Sequence, residues 1–188
     1  LVGSEMCIRD SSKGVWRVIH EIVTYDMGLE RFAILLKEDI NRFFPGHDII
    51  VFGDPAGSQR STLTEDTSFD HLKTHGIIAR PCATNNFKAR REALALPMTR
   101  LIEGKPGFRV DRKCVRVRKA LAGGYHFKRI AVGAGHERFK DTPNKNEHSH
   151  IGDAAQYCLL GSEYRTMTRG KGRAMRPIVA KIDFDPLA

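Results

Sequence analysis

Apolar residues recur along this chain with two different periods, and the switches between them mark out its elements. Trp16 to Val23 is rich in β-branched and aromatic residues and reads as a strand. From Leu29 the apolar positions Phe32, Ala33, Leu36, Ile40, Phe43 and Phe44 return every three or four residues. That spacing predicts an amphipathic helix, with Thr24 or Asp26 able to cap it and Pro45-Gly46 ending it. Ile49-Ile50-Val51-Phe52 has no polar alternation, as expected of an inner strand covered on both faces. Asp66 to His75 predicts a short helix, and Ile77 to Arg80 a strand. Asn85 or Asn86 can cap a longer helix through Ile102, kinked or divided at Pro97. Phe108-Arg109-Val110 is a short strand, Cys114 to Leu121 a helix ended by Gly123-Gly124, and Tyr125 to Val132 another strand. Gly133 to Glu147 is polar and reads as a loop. Ser149 then caps a helix over Ile151 to Gly161, while Thr166 to Arg176 is basic, short of apolar residues and reads as a mobile tail. Leu1 to Ser12 shows no periodicity. Strands and helices alternate, which predicts an α/β fold with a mixed sheet flanked by helices.

Composition narrows the partners. A chain of 188 residues supports one domain, and 31 Lys+Arg against 22 Asp+Glu give a net charge of +9. Such a surface favours a polyanion, because each phosphate neutralised releases a condensed counterion. Arg60, Lys88, Arg90, Arg91 and Lys128 are the basic residues expected to hold a DNA backbone. The four cysteines are scattered with no C-x-x-C, which fits reduced thiols better than a disulfide frame or zinc knuckle. No apolar run approaches the ~20 residues of a membrane helix, and Leu1 to Ser12 lacks the pattern of a secretory signal. No G-x-x-x-x-G-K-[ST] occurs, so the sequence carries no P-loop of its own.

Two acids stand at places where chemistry is usually built. Asp54 follows the apolar run Val51-Phe52-Gly53, where a strand breaks into a turn at a sheet edge. Asp-Pro-Ala-Gly is also an ordinary turn sequence. Asp153 lies off the predicted buried stripe of Ile151, Ala154, Ala155, Cys158 and Leu159, with His150 and Tyr157 as its helical neighbours. An acid near a helix N-terminus is equally ordinary dipole complementation. Together the two supply hard oxygen ligands of the kind magnesium takes. His148, His150 and Cys158 make a poor zinc set, lacking a fourth ligand and a regular spacing. His20 and His126 read as strand histidines.

Several segments, in order, resemble the nuclease domain of phage terminase large subunits. They are Val51–Gly57 with Arg60, the Arg90-Arg91 helix, the Ala122-Gly123-Gly124-Tyr125-His126 junction and the His150–Tyr157 helix. The resemblance covers Trp16 to Gly161. It implies a ribonuclease-H-like fold in which acids bind two Mg²⁺ or Mn²⁺ ions and cut double-stranded DNA during genome packaging. By it Asp54 and Asp153 are metal-binding catalytic residues, the second and third acids of the family, and His150 orients water or phosphate. The family's first acid belongs to an opening strand whose place is taken here by Leu1–Lys13, with Asp10 in no strand-like context. Ser4 to Ser11 reads as translated sequencing adapter. The expectation is therefore a leader over 1–12, a partial nuclease domain over 13–164 lacking its first strand, and a basic tail over 165–188. The resemblance further implies partners: an ATPase domain on the same polypeptide, a portal protein and a small terminase subunit. Their setting is the host cytoplasm and, transiently, the viral procapsid portal. A junction-resolvase or transposase-type nuclease of the same fold and a non-catalytic DNA-binding module are the alternatives.

Overall fold

The computed structural model of the chain describes residues 5–12, 14–60, 66–130 and 138–169, with side chains described between 14 and 162 in those stretches. Among them is a mixed α/β arrangement of five α-helices and small sheets of few strands. Strand β1 (Glu5–Ser12) runs antiparallel to β2 (Val15–Val23). Helix α1 (Leu29–Phe43) follows, then β3 (Ile50–Gly53) and a 3-10 turn at Pro55–Ser58. Helix α2 (Ser68–Thr74) leads into β4 (Ile78–Pro81), which pairs parallel with β3. Helix α3 (Phe87–Met98) is followed by the two-residue strands β5 (Leu101–Ile102) and β6 (Lys105–Pro106). Then come β7 (Phe108–Val110), parallel to β2, and α4 (Val115–Lys119), which widens into a π-helical turn at Ala120–Gly124. The antiparallel pair β8 (Phe127–Ile130) and β9 (Arg138–Pro143) precedes the long helix α5 (Ser149–Arg169).

The periodic segments fold as their patterns require. On α1 the side chains of Phe32, Ala33 and Leu36 are buried against Ile22, Val51, Leu72 and Ile77, forming one core cluster. A second cluster joins Val18 to Cys114, Val117, Ala120, Ile151 and Ala155, so β2 contributes to both. Strand β3 is covered on both faces, Val51 by the first cluster and Phe52 by Gly161 of α5. A Cβ on Gly161 would collide with the Phe52 ring, so only glycine lets α5 approach this closely. Glu21 anchors α4 from β2, its two carboxylate oxygens each accepting from a first-turn amide, Arg116 N and Val117 N, at 2.9 Å.

Several expectations need correcting. The strands do not merge into one mixed sheet; among the described residues they form a three-stranded sheet, β1-β2-β7, and three two-stranded pairs. Residues 5–12 form a strand despite their lack of pattern, because the ladder to β2 supplies the hydrogen bonds, and Asp10 lies opposite Arg17. Neither Thr24 nor Asp26 caps α1, whose N-cap is Gly28. Helix α3 ends at Met98, one residue past Pro97, whose missing N–H weakens the last turn. The expected loop contains β9, an exposed strand without apolar alternation. Ser149 is the first residue of α5, not its cap. Its hydroxyl donates to the Asn146 carbonyl at 2.7 Å, and the Asn146 side chain accepts from His148 N at 2.9 Å. The helix continues beyond Gly161 to Arg169, into the expected tail; residues 170–188 lie outside those described. No helix among the described residues is long and apolar enough to cross a membrane.

Candidate metal centre

The C-terminal ends of β3 and β4 lie side by side, and the amide of Cys82 extends their ladder by donating to Gly53 O at 3.0 Å. Asp54 leaves β3 there and caps the following 3-10 turn, Oδ1 accepting from Ala56 N at 2.9 Å. Beyond β4 the chain enters α3, whose N-cap is Asn86. That leaves Asn85 available, and its Nδ2 donates to Asp54 Oδ2 at 3.2 Å.

Helix α5 brings the second acid from the other side. It packs against α3 and β3 and is tied to the end of β4 by the Cys82 thiol, which donates to Tyr157 O at 3.3 Å. Burial pushes that thiol up to about 11, so it stays a protonated donor. The Tyr157 hydroxyl donates to Asn85 Oδ1 and lies beside the Asp54 carboxylate. One turn earlier on α5, Asp153 accepts from Tyr125 OH at 2.7 Å through Oδ1 and from Lys145 Nζ at 2.8 Å through Oδ2. Tyr125 reaches Asp153 over Gly152, where a Cβ would lie 2.5 Å from the ring. Burial, and then the neighbouring carboxylate, raise the pKa of both phenols: Asp153 acts on Tyr125, which donates to it, and Asp54 on Tyr157.

Arg90 joins the two halves. Its guanidinium stacks 4.5 Å above the Tyr157 ring and 5.7 Å from that of Phe87, and Nη1 approaches Asp153 Oδ1 at 3.1 Å. This approach lacks hydrogen-bond alignment, and Nε is buried without a hydrogen-bond partner among the described residues. The contact is therefore chiefly Coulombic, in a pair whose side chains are only 8% and 14% exposed.

The expected site residues separate into three groups. Asp54 and Asp153, distant in sequence, approach Tyr157 from two sides: Asp54 lies beside its hydroxyl and Asn85, and Asp153 is paired with Arg90, which stacks on its ring. His150 is exposed on the first turn of α5, on the ridge one turn before Asp153. Arg60, Lys88, Arg91 and Lys128 are exposed, and Arg91 pairs with its neighbour Glu92 at 2.7 Å. Arg90 is not on the surface with them: helical spacing places it with Ala93, Leu94 and Pro97 on the buried face of α3, where its guanidinium faces Asp153. Asp153 departs from the expectation, since α5 is buried around most of its circumference and the acid is clamped, not exposed. Asn85 and Lys145 carry no sequence signal for a place in the site, and Tyr125 has one only as part of the Ala122–His126 junction. His20 is structural, bonded to Asp39 at 2.8 Å and stacked on Phe43.

The donor chemistry fits a hard divalent ion in kind, since magnesium is usually held by one or two carboxylates plus water. Lys145, an ammonium on an Asp153 oxygen, marks where positive charge is accommodated. Arg90 is a fixed neutraliser beside it. For a pair of ions the set is short of a carboxylate, because among the described residues no third His, Cys, Asp or Glu groups with Asp54 and Asp153. The side chain of Asp10 lies outside those described. No family model matches the chain, nor does any curated protein or solved structure.

Proposed function

We propose that the chain is the nuclease region of a terminase-type DNA-packaging enzyme, a ribonuclease-H-like endonuclease dependent on Mg²⁺ or Mn²⁺. One observation carries most of the reading: Asp54 lies beside the Tyr157 hydroxyl and Asp153 beside the Arg90 guanidinium stacked on that ring, near the end of β3. Asp54 and Asp153 would hold the ions, which when bound supply activation of water and stabilisation of the leaving oxygen. Asn85 and Tyr125 orient the two carboxylates through hydrogen bonds. His150 positions water or phosphate from the solvent side, and Arg60, Lys88, Arg91 and Lys128 hold the backbone of double-stranded DNA. The ATPase domain, portal protein, small terminase subunit and host-cytoplasmic setting belong to the same proposal. Cleavage by this chain alone is expected to be feeble, since among the described side chains no third acid joins Asp54 and Asp153.

The test is Mn²⁺-dependent cutting by the full polypeptide. Asp54→Ala and Asp153→Ala should each abolish cleavage, while cutting at the normal rate by either variant overturns the assignment. Cleavage of branched DNA alone would move the reading to a junction-resolving enzyme. The neutralisation of Asp153 by Arg90 and Lys145 favours a second reading, a basic module that binds DNA without chemistry. In that case Mn²⁺ uptake does not depend on the two acids.

A further inference from the structure

Away from the Asp54–Asp153 site, the first turn of α1 faces the C-terminal half of α2. Glu30 Oε2 lies 2.6 Å from His71 Nε2, and Glu30 Oε1 lies 3.1 Å from His75 Nε2. His71 and His75 are four residues apart, so α2 turns both rings to one side, with centroids 5.4 Å apart. All three ligand atoms fall within 4.8 Å of one another, and this is the only such group of three among the described residues. The His71 nitrogen is buried, yet its close approach to Glu30 is not aligned as a hydrogen bond. Its donor atom is thus aimed into the cluster without being satisfied there.

Two imidazoles and one carboxylate on neighbouring elements are a recurrent ligand set for first-row transition metals. Imidazole nitrogen suits zinc, copper and nickel, whereas magnesium prefers oxygen throughout. Zinc bonded at ~2.0–2.2 Å in tetrahedral geometry separates its ligand atoms by about 3.3 Å. The two histidine nitrogens lie within 4.8 Å of each other, so that arrangement is reached by turning the imidazole rings together with the Glu30 carboxylate, whose side chain is 57% exposed. Solvent fills the remaining coordination position. Ion-pair partners of Glu30 among the described residues are the two histidines, both of which become neutral ligands when deprotonated.

We infer that Glu30, His71 and His75 form a binding site for a zinc-class divalent ion, which clips the start of α1 to the end of α2. The site is separate from the proposed nuclease centre and does not rest on it. An ion there joins parts of the chain far apart in sequence and stiffens the helical layer packed behind Val51 of β3.

Calorimetric titration of Zn²⁺ into the whole chain tests this, with far-ultraviolet circular dichroism of each variant taken before metal is added. One saturable site per chain is expected. Loss of a direct ligand in His71→Ala, His75→Ala or Glu30→Gln should weaken it about 100-fold or more, at or beyond the roughly 10–100-fold typical of losing an outer-shell partner. His47→Ala, outside the cluster, should leave it unchanged. If the histidine variants fail to fold, Glu30→Gln, an isosteric change at an exposed carboxylate, carries the test by itself. A Co²⁺ complex of the unaltered chain should show nitrogen and oxygen ligation with no thiolate charge-transfer band. Absence of saturable binding, binding that survives Glu30→Gln at full strength, or a thiolate band would each overturn the assignment.

Discussion

Asp54 and Asp153 share a neighbourhood but are held in opposite ways. Asp54 is held by neutral donors, the Ala56 amide and the Asn85 side chain, with the Tyr157 phenol beside it. Asp153 faces the Arg90 guanidinium and the Lys145 ammonium, in addition to the Tyr125 hydroxyl. The charge of Asp54 is oriented but not neutralised, whereas that of Asp153 is already compensated inside the fold. A carboxylate whose counter-charge is buried is bound up with stability; one oriented by dipoles is available to a ligand at little structural consequence.

Substitution should separate the two acids cleanly. Asp153→Ala strands the buried Arg90 charge and should destabilise the chain by about 3–5 kcal/mol, read from urea unfolding. Asp54→Ala removes one turn cap and should lower stability by only about 1 kcal/mol. Equal losses would break the distinction. Replacing Arg90 and Asp153 together with apolar residues of similar size should recover much of the Asp153→Ala loss. Between the Asp153→Ala and Asp54→Ala losses falls Gly161→Ala, which drives a methyl group into the Phe52 ring and should cost about 1–3 kcal/mol through overpacking. Tyr125→Phe removes one hydrogen bond to Asp153 and should cost about 0.5–1.5 kcal/mol. Lys145 has a 67% exposed side chain, so Lys145→Met should change stability by less than about 1 kcal/mol while altering metal affinity at Asp153.

The smallest effect is set by pH, at a carboxylate remote from both acids. The Thr67 hydroxyl, then its backbone amide, hold Asp70 below its ordinary 3.8 in the capping box of α2. A depressed folded-state value means the contribution is present above that ordinary value and lost as pH falls through the lowered one. Asp70→Asn should therefore lower the neutral plateau of a melting-temperature profile slightly and flatten its acid limb, the two profiles converging at low pH.

How much of this was legible in the sequence depended on whether a local pattern existed. Helix α1 and strand β2 were legible because their apolar spacing matches the faces they bury. Strand β9 was not, since Arg138-Phe139-Lys140-Asp141-Thr142-Pro143 is exposed nearly throughout and needs only a partner edge. Strand β1 likewise takes its form from β2. Gly161 looked like a helix stop, yet α5 passes through it because Phe52 occupies the space a side chain would fill. The positions of Asp54 and Asp153 could be read at their element ends, but Arg90 looked like a surface cation until α3 packed against α5. Either of two adjacent asparagines could have capped α3, and only the fold selects Asn86 for that role and sends Asn85 to Asp54. The cluster of Glu30, His71 and His75 depends on how α1 meets α2, which no local spacing encodes.

The central claim is that the two aspartates jointly hold a divalent cation, and Mn²⁺ calorimetry tests it most directly. The titration is best run in a His71→Ala background, so that the separate cluster on α1 and α2 takes no ion. Saturable binding that is lost in both Asp54→Ala and the folded Asp153→Asn variant is the predicted result. Binding indifferent to both substitutions, or no binding at all, would contradict it and leave a basic α/β protein whose two acids serve the fold alone.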